Sequence, residues 1–209
     1  MPKKTTPKKK KLNFRKERTV VLVKPDGVKR GLIGEVINRF ERRGLKIVAL
    51  KMVQPTREHI DNHYPKDPAW IERLGQKGLD TFNGLGLDPE EYLGSKNPKK
   101  LGKDVREWLV DYLCSSPVVA MIIEGVDAVS MVRKISGTTK PAEAEVGTIR
   151  GDYSVDSPTA ANTEKRAIYN IVHASETPAE AGHEIEHWFS PEEIHDYIRV
   201  DHLAMFGEI

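Results

Sequence analysis

Six consecutive apolar residues, Val118-Val119-Ala120-Met121-Ile122-Ile123, lie between Ser116-Pro117 and Glu124-Gly125. A strand with one wet face alternates apolar and polar positions. A strand with no polar position must be covered on both faces. The run therefore predicts a buried central strand, and the rest of the chain has to supply its neighbours and two covering layers. Arg18 to Val23 is a second β-branched run, ending in Lys24, after which Pro25-Asp26-Gly27-Val28 predicts a turn. Leu32, Ile33, Val36, Ile37 and Phe40 then recur at helical spacing, with Gly44 as the C-cap. Leu45 to Val53 predicts another strand, so the chain opens strand, helix, strand.

The middle of the chain is less regular. Thr56 caps a short helix to His63, which Tyr64-Pro65 stops, and His59 and His63 are expected on its solvated face. Residues 65–104 are rich in turn pairs such as Asp88-Pro89 and Asn97-Pro98. With one short helix around Trp70, Ile71, Leu74 and Leu79, they are expected to form an inserted subdomain or flap. Val105 to Leu113 predicts a helix, and Asp127 is expected to cap another through Val132, with Arg133 near its end. Ser190-Pro191-Glu192-Glu193 reads as a further capped helix start.

At 209 residues and 38% apolar content, the chain suits one domain with an elaboration. No apolar run approaches the ~18 residues of a membrane span, and the lysine-rich start lacks the apolar segment of a secretory signal. Cys114 is the only cysteine, so no internal disulfide forms, which fits a cytoplasmic location. Residues 1–18 hold nine Lys/Arg and one acid, leaving 24 Lys/Arg against 30 Asp/Glu in the remainder. A disordered basic tail over 1–17 is expected, ahead of a mildly acidic domain over 18–209. The tail suits solvation, or weak contact with nucleic acid or acidic surfaces.

The chemistry-bearing stretch is Asn170-Ile171-Val172-His173-Ala174-Ser175-Glu176. Ile168 to Val172 predicts a short buried strand, and Thr177-Pro178-Ala179-Glu180 a capped helix start. His173 would then sit between strand and helix, near free N–H groups that favour anions. Glu184, within that helix, could reach back and fix the ring's tautomer. A packed or surface imidazole is the plain alternative. Lys24 at a strand end suits a phosphate or a sugar hydroxyl. Arg133, Arg150 and Thr138-Thr139 suit a polyphosphate clamp, because guanidinium groups bind phosphate bidentately. His183-Glu184-Ile185-Glu186-His187 also satisfies H-E-x-x-H, which keeps a zinc hydrolase in view.

Four segments in series, Lys24-Pro25-Asp26-Gly27-Val28, Ser116 to Met121, Gly147-Thr148-Ile149-Arg150-Gly151-Asp152 and Asn170 to Ser175, closely resemble nucleoside diphosphate kinases. The resemblance implies an α+β, ferredoxin-like βαββαβ fold with an antiparallel four-stranded sheet covered by helices. It implies transfer of a γ-phosphate from a nucleoside triphosphate to a nucleoside diphosphate by ping-pong through a phosphohistidine on His173, which maintains nucleotide pools. By the same resemblance Lys24 and Asn170 meet the ribose 3′ hydroxyl and terminal phosphate, Tyr64, Arg133, Thr139 and Arg150 bind phosphate, and Ser175 and Glu184 position the histidine. Val105 stands nearest the family's base-stacking phenylalanine, with Leu109 as the other apolar wall. Mg²⁺ is expected through the nucleotide phosphates, and the assembly as a hexamer or tetramer. Ala174 and Glu176 depart from the usual Gly and Asp. Insertions are expected at about 65–104 and 154–165. A nucleotide-binding protein without catalysis, on the same fold, is the rival reading.

Overall fold

The computed structural model describes residues 14–207. Four strands, β1 (Glu17–Val23), β2 (Lys46–Val53), β3 (Val118–Gly125) and β4 (Val172–Ala174), form an antiparallel sheet in the order β2-β3-β1-β4. After β1 come α1 (Pro25–Lys29) and α2 (Ile33–Glu41). After β2 come α3 (Arg57–His63), α4 (Pro68–Gly84), α5 (Pro89–Leu93) and α6 (Pro98–Cys114). After β3 come α7 (Ala128–Ser136), α8 (Ile149–Tyr153) and α9 (Pro158–Thr163), and after β4 come α10 (Pro178–Trp188) and α11 (His202–Phe206). This is the α+β, ferredoxin-like arrangement, with extra helices between the second and third strands.

The central strand is buried on both sides, as its composition requires. Val118, Ala120 and Ile122 face a core with Ile60 of α3, Val110 and Leu113 of α6 and Trp188 of α10. Val119, Met121 and Ile123 face the other core, with Val36 and Phe40 of α2, Val132 of α7 and Ile149 of α8. The strand's one acid, Glu124, is buried but held by Arg18 and Lys46, each at 2.7 Å.

Several sequence expectations need correction. The strand expected over 168–172 starts at Val172, because Ile171 takes φ +68° and breaks the extended run. A β-branched residue in that region is strained by roughly 1–3 kcal/mol. Asp26 Oδ2 accepts the Ile171 N–H at 3.0 Å, and the Lys24 N–H donates to the Ile171 carbonyl at 2.8 Å. His173 is therefore inside β4, opposite Leu22, rather than beyond the strand's end. The turn at Pro25 is the one-turn helix α1. Asp127, at φ +46°, makes no side-chain cap; Glu17 Oε2 takes the Val129 N–H at 2.9 Å instead. Ser190 opens only a 3-10 turn, Pro191–Glu193. Of the residues expected in the tail, Phe14–Lys16 form a 3-10 turn and Glu17 lies in β1, while residues 1–13 lie outside those described. His63 is not on a wet face but buried.

The largest correction concerns 65–104. This stretch is helical, and the helix expected from Val105 begins at Pro98, where Asn97 Oδ1 accepts from the Lys99 and Lys100 N–H groups. Its glycines serve a helix crossing as well as turns. A Cβ on Gly75 of α4 would lie 2.0 Å from the Pro98 carbonyl oxygen, and one on Gly102 of α6 would lie 1.9 Å from that of Ile71. The two helices therefore touch backbone to backbone. Arg106 of α6 ties down the connection to α4, donating to the Asp61 and Pro65 carbonyls at 2.7 and 3.2 Å and to Asp61 Oδ1 at 2.8 Å. The second expected insertion, 154–165, carries α9, which packs on α4. Gly102→Ala should push the helices apart and lower stability by about 1–3 kcal/mol, the usual range for overpacking. Urea denaturation would measure it as a reduced midpoint.

Candidate active site

Lys24 ends β1 and is buried, its Nζ donating to Asn170 Oδ1 at 2.7 Å. The Asn170 amide in turn donates to the Thr139 carbonyl at 2.7 Å, so its orientation is fixed from both ends. Arg150, at the start of α8, is also buried. Its three nitrogens donate to the carbonyls of Asn170 (3.3 Å), Gly137 (2.6 Å) and Val172 (2.8 Å). Burial and then the Arg150 charge bring Lys24 down to about 8, against the pull of Asp26. Burial and then Arg133 bring Arg150 down to about 10. Among the described residues, Lys24 and Arg150 draw on neutral amide and carbonyl oxygens for these contacts, which leaves their charge available to an anion.

His173 lies across from α10. Odd and even positions of β4 face opposite ways, and Val172 belongs to the α2–α7 core, so His173 is turned to the other face. There Glu184, buried in α10, meets His173 Nε2 at 2.7 Å. The Ser175 hydroxyl donates to the second Glu184 oxygen at 2.6 Å and accepts the Val20 N–H at 3.2 Å. Burial alone would raise Glu184. The His173 charge and hydrogen bond, with His63 and Ser175, outweigh it and hold the carboxyl at about 2. A carboxylate accepting at Nε2 puts the ring's proton there and the lone pair on Nδ1.

These groups share a cleft of about 690 Å³, whose lining includes Lys24, Tyr64, Arg133, Thr139, Arg150, Asn170, His173 and Glu184. Ser175 lies beneath them, fully buried. Two expected residues are absent from the wall. Leu109 packs on the core, and neither it nor Val105 lines the cleft. Their place as apolar lining is taken by Trp70 and Leu74 of α4. The H-E-x-x-H reading does not assemble as a zinc site: His187 Nε2 sits 2.9 Å from the His59 carbonyl, and Glu184 is engaged with His173.

A nucleoside diphosphate kinase sequence profile matches residues 17–69 and 91–194. A nucleoside diphosphate kinase from Pyrobaculum aerophilum is 48% identical over 178 residues, spanning 85% of this chain and 97% of that protein. The chain belongs to the nucleoside diphosphate kinase family. The crystal structure of an NDP kinase from Pyrobaculum aerophilum, 46% identical, matches at a TM-score of 0.83 over 87% of this chain and 100% of that one. A transition-state mimic of the Borrelia burgdorferi nucleoside diphosphate kinase, with bound vanadate and ADP, matches at 0.73 and 35% identity, over 92% and 98%.

Sequence reasoning missed two parts of this family member's cleft. His63 was expected in water. It is buried because α10 lies over α3, with the Trp188 indole N–H donating to His63 Nδ1 at 3.3 Å. Its ring stands edge-on to His173, centroids 4.8 Å apart. Burial, then the His173 charge, lowers it to about 3, so it stays neutral. Nothing local in the sequence signals that burial. The second miss is the face of α4 carrying Trp70, Arg73, Leu74 and Lys77, all lining the cleft. Their i, i+3, i+4, i+7 spacing was legible, but its direction was not.

Two outcomes follow from this geometry. Glu184→Gln should slow phosphoryl transfer by about a hundredfold, in the range for a mispositioned proton-handling group, with little change in KM; steady-state kinetics would measure both. Lys24 carries its charge below about pH 8 and loses it above. Affinity for inorganic pyrophosphate should therefore fall as pH rises through 8, and Lys24→Arg should remove that step in a titration by calorimetry.

Proposed function

We propose that the chain transfers the γ-phosphate of a nucleoside triphosphate to a nucleoside diphosphate, with His173 carrying the phosphoryl group between them. The observation that carries this reading is the 2.7 Å contact between Glu184 and His173 Nε2 inside a cleft walled by Lys24, Arg133 and Arg150. A protein that only bound nucleotides would have no use for an imidazole held in one tautomer. In the first half-reaction the Nδ1 lone pair attacks the γ-phosphorus. The N–P bond forms as the bond to the β-bridging oxygen breaks, and the diphosphate leaves with the electron pair. A second nucleoside diphosphate then reverses the step. Phosphoryl transfer asks a protein mainly for positioning and charge stabilisation. Lys24, Arg133 and Arg150 spread the charge on the equatorial oxygens. Glu184 stabilises the ring as it becomes positively charged, and Asn170, fixed at both ends, orients Lys24.

The donor set favours Mg²⁺ arriving on the nucleotide. A hard ion needs several oxygens, whereas of the carboxylates lining the cleft Glu184 is engaged by His173 and Ser175, Glu176 by Arg133, Glu143 by Lys140 and Glu180 by the Glu176 N–H. Mg²⁺ held by the phosphates would supply further charge neutralisation. A homo-oligomer, hexamer or tetramer, is part of this proposal: the edge strand β2 exposes Leu50 and Met52, apolar surface that an interface would cover. A cytoplasmic location rests on the single cysteine, and weak nucleic-acid contact on the charge of residues 1–13. No helix among the described residues is long and apolar enough to cross a membrane.

Incubation with γ-labelled ATP tests the central reading. The protein should take up acid-labile, alkali-stable label and release it to added nucleoside diphosphate. His173→Ala should take up none while still binding ADP. Label retained near the parent level in that variant would refute His173 as the carrier.

A further inference from the structure

Asp26 lies two residues beyond Lys24, in the first turn of α1, and its negative charge acts on the Lys24 ammonium. An acid so placed is a hazard to a phosphate pocket, because an ion pair with Lys24 would engage the charge that an anion needs. Both of its oxygens are held elsewhere. Oδ2 accepts the Ile171 N–H at 3.0 Å, and Oδ1 accepts the hydroxyl proton of Tyr112 on α6. Lys24 meets the neutral Asn170 oxygen instead, at 2.7 Å.

We propose that Tyr112 is a positioning residue for the phosphate pocket: its hydroxyl holds the Asp26 carboxylate away from Lys24 and so keeps the ammonium free for phosphate. Tyr112 is buried in the core that α6 shares with α3 and α10, which gives its hydroxyl a fixed place. It meets Asp26 twice, since the Asp26 N–H also donates to the Tyr112 oxygen, at 3.4 Å. The same ring reaches both sides of Lys24. Lys24 Nζ lies 5.9 Å from its centroid, and Tyr169, next to Asn170, packs on it with centroids 5.0 Å apart and planes at 30°. Tyr112 does not line the cleft, so its effect on a phosphate runs through Asp26. A neutral donor suits this task, because it orients the carboxylate without cancelling its charge. Asp26 can then still offset part of what burial and the Arg150 charge of α8 do to Lys24. Burial, then the Asp26 charge, raises the Tyr112 phenol above its ordinary range, so it remains a donor where Lys24 titrates.

The inference rests on the phosphotransfer reading only for what Lys24 binds. Its test measures the affinity of the full chain for inorganic pyrophosphate across pH. In the parent that affinity should fall as pH rises through 8, where Lys24 loses its proton. Tyr112→Phe keeps the ring and its packing on Tyr169 but frees one Asp26 oxygen to pair with Lys24. At neutral pH this variant should bind pyrophosphate about tenfold more weakly, the scale of one hydrogen bond to a charged group. A closer carboxylate favours the ammonium, so the fall in affinity should move up by about one pH unit. Asp26→Asn keeps an oxygen for the Ile171 N–H and has no charge to offer Lys24. Adding Tyr112→Phe to it should therefore leave pyrophosphate affinity unchanged. Parental affinity and an unmoved pH step in Tyr112→Phe would overturn the proposal. An equal loss with and without the Asp26 charge would do the same, because it would mark general damage to the core. A chain that shows the whole pattern yet takes up no label from γ-labelled ATP would refute the kinase reading alone.

Discussion

The carboxylate of Asp26 joins three parts of the molecule that are remote in sequence. One oxygen accepts the N–H of Ile171, and the other accepts the hydroxyl proton of Tyr112 on α6. Without that acceptor, Ile171 would have little reason to remain at φ +68°. The bend at Ile171 is what lets one short segment do several things. It turns the Asn170 side chain toward Lys24, offers carbonyls on either side to Arg150, and starts β4 late enough for His173 to lie within the sheet. A fully extended approach would continue the strand pattern and lose this arrangement. Strain in the backbone is thus converted into the placement of functional groups.

Electrostatics in the cleft follow from the same economy of partners. Lys24 and Arg150 are buried and hydrogen-bonded to neutral oxygens, with Asp26 only partly offsetting the Lys24 charge. That charge is destabilising by itself, as the lowered Lys24 and Arg150 values indicate. It becomes favourable when phosphates enter. Glu184 shows the opposite balance: buried, but so well supplied with donors that it stays ionised at the imidazole. Arg133 does have an acidic partner, Glu176 at 3.5 Å, but the buried pair Lys24 and Arg150 hold neutral oxygens beside a carboxylate already matched to His173 and Ser175, a combination suited to stabilising an anion next to the imidazole.

The helical segment between β2 and β3 adds a wall to the cleft. Its glycines look like turn signals in sequence, because glycine serves both chain reversal and close packing. Only the crossing of α4 over α6 tells the two uses apart. The family profile leaves 70–90 unmatched, and that stretch includes most of α4.

Local pattern determined the central strand, the α2 stripe and the caps at Thr56 and Thr177. Each depends on neighbours in sequence: a run without polar residues has to be buried, and the Thr56 and Thr177 hydroxyls each accept the backbone N–H three residues on. Tertiary structure decided the bend at Ile171, the burial of His63 and the orientation of the Trp70 face. In each case the controlling partner lies far along the chain: Asp26 for Ile171, Trp188 for His63, and Gly102 with Arg106 for the helix bearing Trp70. Spacing tells which side chains travel together. Only the packed chain says what they meet.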